Sequence, residues 1–420
     1  MNDHPVPVAG TADGSLIRHG TPLFRQANLA LFAAGIATFG LLYCVQPLMP
    51  EFSKDYGVSA ATSALSLSLT TGVLAFAMLF AGAVSDAYGR KSVMTVSLIA
   101  SALLVLLTAI VPGWTSLLVL RTLLGISLSG LPAVAMTWLS EEMHPDSIGL
   151  GMGLYISGNA IGGMGGRLVT GVLADFFDWR VGVMVVAGIG LASGLTFWRL
   201  LPPSHHFERR PLRLRTLMAR FAGVFRDAGL PWMFVEGFLL LGAFVTVYNY
   251  IGYRLLAPPY SLSQAVVGLI FSVYLIGTFS SAWMGHLAGR LGRRRVLWTT
   301  FALMLTGAGL TVFRPLVLVV AGVVAVTFGF FGGHSIVSSW VGRRAGNAKA
   351  QASSLYLFAY YMGSSLAGAG GGLFYADHGW NGVAAFIAAM VLAGLLVAWR
   401  LYFLKPLPGP PSPGTEPPLP

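Results

Sequence analysis

The sequence predicts an all-α membrane protein, with twelve transmembrane helices in two pseudo-symmetric six-helix bundles. Three observations lead there: an apolar composition, a succession of twelve apolar stretches, and a charged island that recurs after half the chain. Hydrophobic residues make up 55% of the 420 residues and charged residues 10%, against a charged share of about 25% in soluble domains. Such a chain cannot clothe itself in a water-facing surface, so most of its solvent must be lipid.

The stretches fall at 27–50, 62–84, 92–111, 115–139, 148–174, 181–201, 231–256, 265–284, 296–313, 316–341, 351–375 and 382–404. Each is close to the length of about 20 residues that crosses about 30 Å of hydrocarbon as a helix. The first runs into Pro47 and Pro50 and has no small-residue cleavage site, so it reads as a retained span rather than a signal peptide. Several interruptions are a single dipeptide, as at Pro112-Gly113 and Arg314-Pro315, which demands tight hairpins. Between the second and third stretches lies the island Gly82-Ala-Val-Ser-Asp86-Ala-Tyr-Gly89-Arg90-Lys91, expected as a loop. It returns 203 residues later as Gly285-His-Leu-Ala-Gly289-Arg-Leu-Gly292-Arg293-Arg294. Leu154-Tyr155 and Trp179 match Leu355-Tyr356 and Trp380 at an offset of 201, and Phe39 and Tyr43 match Phe244 and Tyr248 at 205. A duplicated bundle places a cavity between its halves, and rocking of the halves exposes that cavity to each side in turn.

Orientation follows from the cations. With the N-terminus in the cytoplasm, 20 of the 26 Lys and Arg residues fall on the inner side, and only Lys54, Arg180, Arg254 and Arg314 fall outside. The positive-inside rule therefore predicts both termini inside. It also accounts for the net charge of +11 through anionic lipid, without nucleic acid as a partner. Residues 1–20 and 406–420 are expected to be disordered tails flanking bundles at 21–201 and 231–405. In the linker 202–230, Leu214, Leu217, Met218, Phe221 and Phe225 recur at helical spacing among arginines, the pattern of an amphipathic helix on the inner leaflet. Cys44 is the only cysteine and can form no internal disulfide.

The island resembles motif A of the major facilitator superfamily, G-x-L-A-D-R-x-G-R-[RK]. Gly82, Asp86, Gly89, Arg90 and Lys91 fit it, while Val84, Ser85 and Ala87 depart from it. The resemblance covers residues 20–405. Leu42–Pro47 and Gly151–Asn159 further resemble bacterial inner-membrane efflux members. The family implies a monomer that works by alternating access with a proton gradient as its energy source and no cofactor. It also implies that Asp86 and Arg90 form a latch against the start of the eleventh span, made only when the cytoplasmic side is shut; Gly289 leaves the second copy without it. Arg121-x-x-x-Gly125 resembles motif B, whose Arg is associated with proton coupling. Gly158-Asn159-x-x-Gly162-Gly163 resembles motif C of proton antiporters, with Asn159 where Pro is usual.

From the residues themselves, ionisable groups inside spans are functional candidates because lipid makes them costly. These are Arg121, Arg167, Glu236 and His334. Arg121 and Arg167 lie at similar depths, on spans that the family resemblance implies are neighbours, suited either to an anion or to neutralisation by carbonyls, Asp175 or Asp178. Glu236 is the one carboxylate well inside a span of the second half. Tyr43, Gln46, Asn159, Tyr248, Asn249, Tyr356 and Tyr360 are the candidate cavity lining, since aromatics with a polar tip suit amphipathic cargo. Gly158, Gly162 and Gly163 form a face for close helix packing. No metal-ligand cluster, H-E-x-x-H or phosphate loop occurs, so a transporter of a small organic solute is expected rather than an enzyme. Export by proton antiport is the leading expectation, with uptake by symport and a non-transporting sensor as alternatives. Drug-like amphipaths, sugars and organic anions remain open as cargo.

Overall fold

A computed structural model describes residues 16–207, 209 and 214–404. Apart from an isolated bridge between Ile17 and Met143, the described residues form helices and the turns that join them. Among the described residues fifteen helices are present, and fourteen of them make twelve crossings because several spans are broken. The first consists of α1 (Pro22–Tyr43) and α2 (Met49–Tyr56), separated by a 3-10 turn at Gln46–Leu48. Pro47 and Pro50 supply no N–H to continue α1, so the helix restarts. Next come α3 (Ala60–Tyr88) and α4 (Arg90–Thr108). The fourth crossing is split into α5 (Trp114–Leu128) and α6 (Pro132–Glu142) at Pro132. Two unbroken helices, α7 (Pro145–Phe176) and α8 (Trp179–Leu200), complete the first bundle.

The short α9 (Leu214–Val224) occupies the linker, where Phe221 and Val224 are buried while Met218 and Phe225 stay exposed. The second bundle holds α10 (Leu230–Leu256), α11 (Gln264–Leu269), α12 (Tyr274–Leu291), α13 (Arg293–Leu310), α14 (Leu316–Arg344) and α15 (Lys349–Tyr402). Helices α11 and α12 form one crossing around a 3-10 turn at Ile270–Val273. The 54-residue α15 is two crossings joined at Gly379, whose φ of 57° and ψ of −145° are open to glycine and strained for other residues. Nine helical stretches among the described residues are long and apolar enough on their own terms to span a bilayer, α15 counted once. The remaining two crossings are α7, diluted by glycine, Asn159 and Arg167, and α13, which opens on Arg293-Arg294-Arg295.

Two details correct the sequence expectation. The island is not a loop: Asp86 lies in the last turn of α3, Arg90 and Lys91 open α4, and Gly89 alone departs from helix with a φ of 99°. The second copy turns in the same way at Gly292, with a φ of 91°. Residues 16–20, expected within a disordered tail, are held in place. Ile17 bonds to the Glu142 carbonyl at 2.9 Å, the His144 N–H bonds to Ile17, and the His19 N–H donates to Ser147 Oγ. The tail 406–420 lies outside the described residues.

Small residues set the internal packing. A Cβ at Gly158, Gly162 or Gly166 would run into the backbone of Phe32, Ile36 or Gly40, so α7 lies directly on α1. The repeat does the same in the second half, where Gly363, 201 residues after Gly162, lies on the Phe238 backbone and seats α15 on α10. Gly163 faces Phe39 and Arg167 instead.

The halves meet mainly toward the face opposite the described chain ends. Among the described residues, all hydrogen bonds joining them lie in that half of the molecule. Gln46 Nε2 donates to Asn249 Oδ1 at 2.7 Å and Gln264 Nε2 to the Pro47 carbonyl at 2.5 Å. Tyr253 reaches Ser53 and the Met49 carbonyl, the Gln264 N–H reaches Asp175, and Ser365 reaches the Ser68 carbonyl. The molecule is thus clasped by hydrogen bonds toward the far face.

Candidate functional site

The far-face clasp is built around a buried cation. Arg167 on α7 is 2% exposed. Its Nε donates to Gln46 Oε1 at 2.7 Å and its Nη1 to the Gly163 carbonyl at 2.6 Å. Three rings surround the guanidinium: Tyr43 at 4.1 Å, Tyr274 at 4.7 Å and Phe271 at 5.3 Å. Tyr43 belongs to the first half and the other two to the second, so the cage exists only while the halves are together. Gln46 then passes the chain to Asn249, whose Nδ2 reaches toward the Gly368 carbonyl. No carboxylate partners Arg167 among the described residues; rings and amide oxygens carry the whole stabilisation of its charge.

Arg121 is placed differently. It is fully buried, and its fork donates to three carbonyls: Ser66 at 2.8 Å, Leu41 at 3.2 Å and Leu42 at 2.6 Å. These belong to α3 and α1, so the guanidinium ties three helices together. The two arginines do not form a pair on adjacent helices as the sequence suggested, because α1 stands between α5 and α7. Asp175 and Asp178 do not neutralise them either; Asp175 accepts from Gln264, and Asp178 caps α8 and pairs with Arg180.

Toward the terminal face lies the second feature. Glu236 is the seventh residue of α10, about 9 Å from the start of the helix. It is 0% exposed, and neither carboxyl oxygen has a hydrogen-bond partner. Beside it is Tyr356, whose ring covers the neighbouring Gly237. The Tyr356 hydroxyl lies 2.9 Å from His334 Nδ1, and the His334 ring packs against Tyr360 at 4.6 Å and Phe330 at 6.1 Å between centroids. Phe330 stacks on Phe244 at 3.8 Å, and Phe244 touches Tyr274 and so the Arg167 cage. A continuous aromatic path therefore runs from Glu236 to Arg167 through the core of the second half. The Tyr274 hydroxyl on this path is buried without a hydrogen-bond partner among the described residues, as are both Glu236 oxygens. Such atoms imply a centre that accepts water or a polar ligand.

The candidate lining residues separate accordingly. Tyr43, Gln46 and Asn249 belong to the clasp, and Tyr356 and Tyr360 to the path from Glu236. Asn159 sits between α7 and α1 against Gly35. Tyr248 is committed to packing, its hydroxyl bonded to Thr327 at 2.7 Å. Sequence reasoning missed Tyr274, Phe271, Phe330 and Gln264. Only Gln264 carried a signal, a polar residue directly after the helix-capping Ser263.

At the terminal face Asp86 meets Arg90 at 2.5 Å. Arg90 also donates to Glu141 at 2.8 and 3.1 Å and to Ser85 Oγ, and it lies over the Phe207 ring. Lys91 Nζ caps the Leu201 carbonyl. Asp86 makes no hydrogen bond or ion pair to α15 among the described residues; the network joins the first half to the start of the linker at Phe207.

Two six-helix halves clasped at one face, with buried charges between them, define a membrane transporter. A family model described as Major Facilitator Superfamily matches residues 31–262 and 237–419, and the chain belongs to that family. It is 52% identical over 386 residues to the inner membrane transport protein YnfM of Escherichia coli, covering 92% of this chain and 93% of that one. It is 48% identical to the MFS-type transporter YybF of Bacillus subtilis, covering 92% and 95%. A bicyclomycin resistance protein homologue of Haemophilus influenzae is 24% identical, over 58% of this chain and 66% of that one. Among solved structures the fold resembles the nucleoside transporter NupG with a TM-score of 0.75 at 17% identity, covering 89% of this chain and 99% of that one.

Proposed function

We propose that this transporter exports a small amphipathic organic anion across the bacterial inner membrane in exchange for protons, with both termini in the cytoplasm and Glu236 as the proton carrier. The observation that carries the reading is the Glu236 carboxyl, wholly buried without a donor beside the His334–Tyr356 pair. In the closed far-face state neither carboxyl oxygen has a hydrogen-bond partner among the described residues through which a proton could leave. Opening elsewhere in the cycle, which lets water reach Glu236, favours release of the proton. Arg167 supports an anionic cargo, since its charge has rings and amide oxygens but no carboxylate opposite it. Tyr43, Tyr274 and Tyr360 supply the apolar faces with polar tips that an amphipath needs. The bicyclomycin resistance homologue supports the outward direction. Asp86 and Arg90 serve as the latch, with no ion pair to α15 among the described residues in the present state and one formed when the terminal face shuts.

The test uses purified protein in liposomes carrying an internal pH dye, with organic anions, cationic drugs and sugars added one at a time. Proton movement opposite to an added organic anion, lost in Glu236→Gln, supports the reading. Co-directional movement makes the protein an importer, and a response to cations or sugars alone overturns the anion assignment.

A further inference from the structure

The duplicated island ends in two matching hollows at the terminal face, and they differ in charge. The first, about 560 Å³, lies around Arg90, Lys91 and Arg209 with Tyr88 and Trp198 at its rim. Its central cation is already neutralised, because Arg90 is paired with Asp86 and Glu141. The second, about 610 Å³, is lined by Arg293, Arg294, Arg295, Arg343 and Arg344 with Trp340 and Tyr402. Here the repeat has replaced its acids. Gly289 stands for Asp86, and the repeat offsets of 201 to 203 set Glu141 against residues 342–344, which are Gly342, Arg343 and Arg344. The Arg343 charge bears on Arg293, where the first half has a carboxylate. Arg344 is bonded to Asp227 and Arg294 to the Tyr402 carbonyl. Arg293, Arg295 and Arg343 have no carboxylate partner among the described residues.

Arg293, Arg295 and Arg343, clustered around the hollow with no carboxylate of their own among the described residues, repel one another unless a ligand bridges them. The surroundings indicate which ligand. Trp298, one turn beyond Arg294 on α13, and Trp399, one turn before Tyr402 on α15, are 51% and 65% exposed. Leu291 and Phe403 are likewise exposed beside them. The arginines thus open onto an apolar, Trp-bearing strip running into the membrane. A soluble phosphate or an acidic peptide has no use for that strip, whereas a lipid places its headgroup on the arginines and its chains along it.

We infer that the Arg293–Arg343 hollow binds the phosphate of an anionic phospholipid from the leaflet at the terminal face. The first-half hollow, whose central Arg90 is already paired with Asp86 and Glu141, does not. The site is independent of the transported solute and of Glu236.

The test is native mass spectrometry of the full chain extracted from vesicles of phosphatidylglycerol mixed with phosphatidylcholine, with detergent raised stepwise. The expected result is one phosphatidylglycerol per chain that survives delipidation, displaced poorly by inorganic phosphate. Arg293→Gln/Arg343→Gln should retain it roughly 30-fold more weakly, at about 1 kcal/mol per cation removed. Arg343→Glu, which restores the acid of the first half and pairs Arg293 internally, should lose the lipid while remaining monodisperse and normally inserted. Arg90→Gln should not change retention. Equal retention in both second-half variants overturns the inference, as does equally ready displacement by inorganic phosphate, which would assign the hollow to a soluble anion.

Discussion

Replacing Gln46 with Leu removes the central link of the far-face clasp. Gln46 accepts from Arg167 Nε at 2.7 Å and donates to Asn249 Oδ1 at 2.7 Å. Leu is close in size and fills the space but can do neither. The closed state then holds one charged donor and one amide oxygen out of water without partners, each costing about 1–3 kcal/mol. When the far face opens, water reaches both and the cost disappears. Gln46→Leu should therefore favour the arrangement open at the far face by about 2–6 kcal/mol, a population shift of roughly 30-fold to about 10⁴-fold. Cys44 is the only cysteine, so Cys44→Ser gives a clean background for spin labels. Lys54→Cys and Asp377→Cys place one label on each half at the far face, both at exposed positions. Electron–electron resonance distances between them should lengthen from a mainly short to a mainly long population in the Gln46→Leu protein. An unchanged distribution would refute the view that this chain of bonds holds the far face shut.

Further outcomes follow from the same geometry. Gly162→Ala and Gly363→Ala should each lower thermal stability by about 1–3 kcal/mol, because the added methyl meets backbone atoms that cannot move aside; unaltered unfolding of both would contradict the close helix contacts. Arg121→Lys should destabilise the first half by about 1–3 kcal/mol, since a single ammonium cannot fork to the Ser66, Leu41 and Leu42 carbonyls, and this is read by thermal unfolding in detergent. Asp227 gives a pH-dependent signature outside the spans. Burial alone would raise its carboxyl, but the bond from Arg344 and those from the Gly229 and Leu230 N–H groups outweigh it and hold the group below its ordinary value. Its contribution is therefore complete above the ordinary carboxylate range and disappears as pH falls through the lowered value. Asp227→Asn should be less stable than the parent by about 1.5–3 kcal/mol at neutral pH, with the gap closing on acidification; a gap independent of pH would show that the charge is not what matters.

The sequence made the number of crossings legible because lipid demands long apolar runs, and the glycine turns at 89 and 292 recur at one fixed offset. Local breaks were less so. The island reads as a loop from its glycine and charges, yet only Gly89 leaves the helix, because Arg90 is satisfied across the turn by Asp86 and Glu141. Among site residues, Glu236 stood out as a lone carboxylate in a span, and its burial could be anticipated. Its neighbour Tyr356 could not, because it lies 120 positions further along the chain. The same limit hid Glu141 as the partner of Arg90, 51 residues away, and the Tyr274–Phe271 half of the Arg167 cage. The depth of Arg121 and Arg167 was readable from the distance to each helix end. That α1 stands between them was not, since helix adjacency depends on which glycines let which backbones touch.

The most direct test of the account separates solute exchange from proton coupling in the Glu236→Gln protein. Counterflow of an accepted solute, measured in liposomes with no proton gradient, needs only the rocking of the halves. Accumulation driven by an imposed gradient also needs the proton carrier. Glu236→Gln should retain counterflow and lose gradient-driven movement. Gradient-driven movement at the parent rate would contradict it.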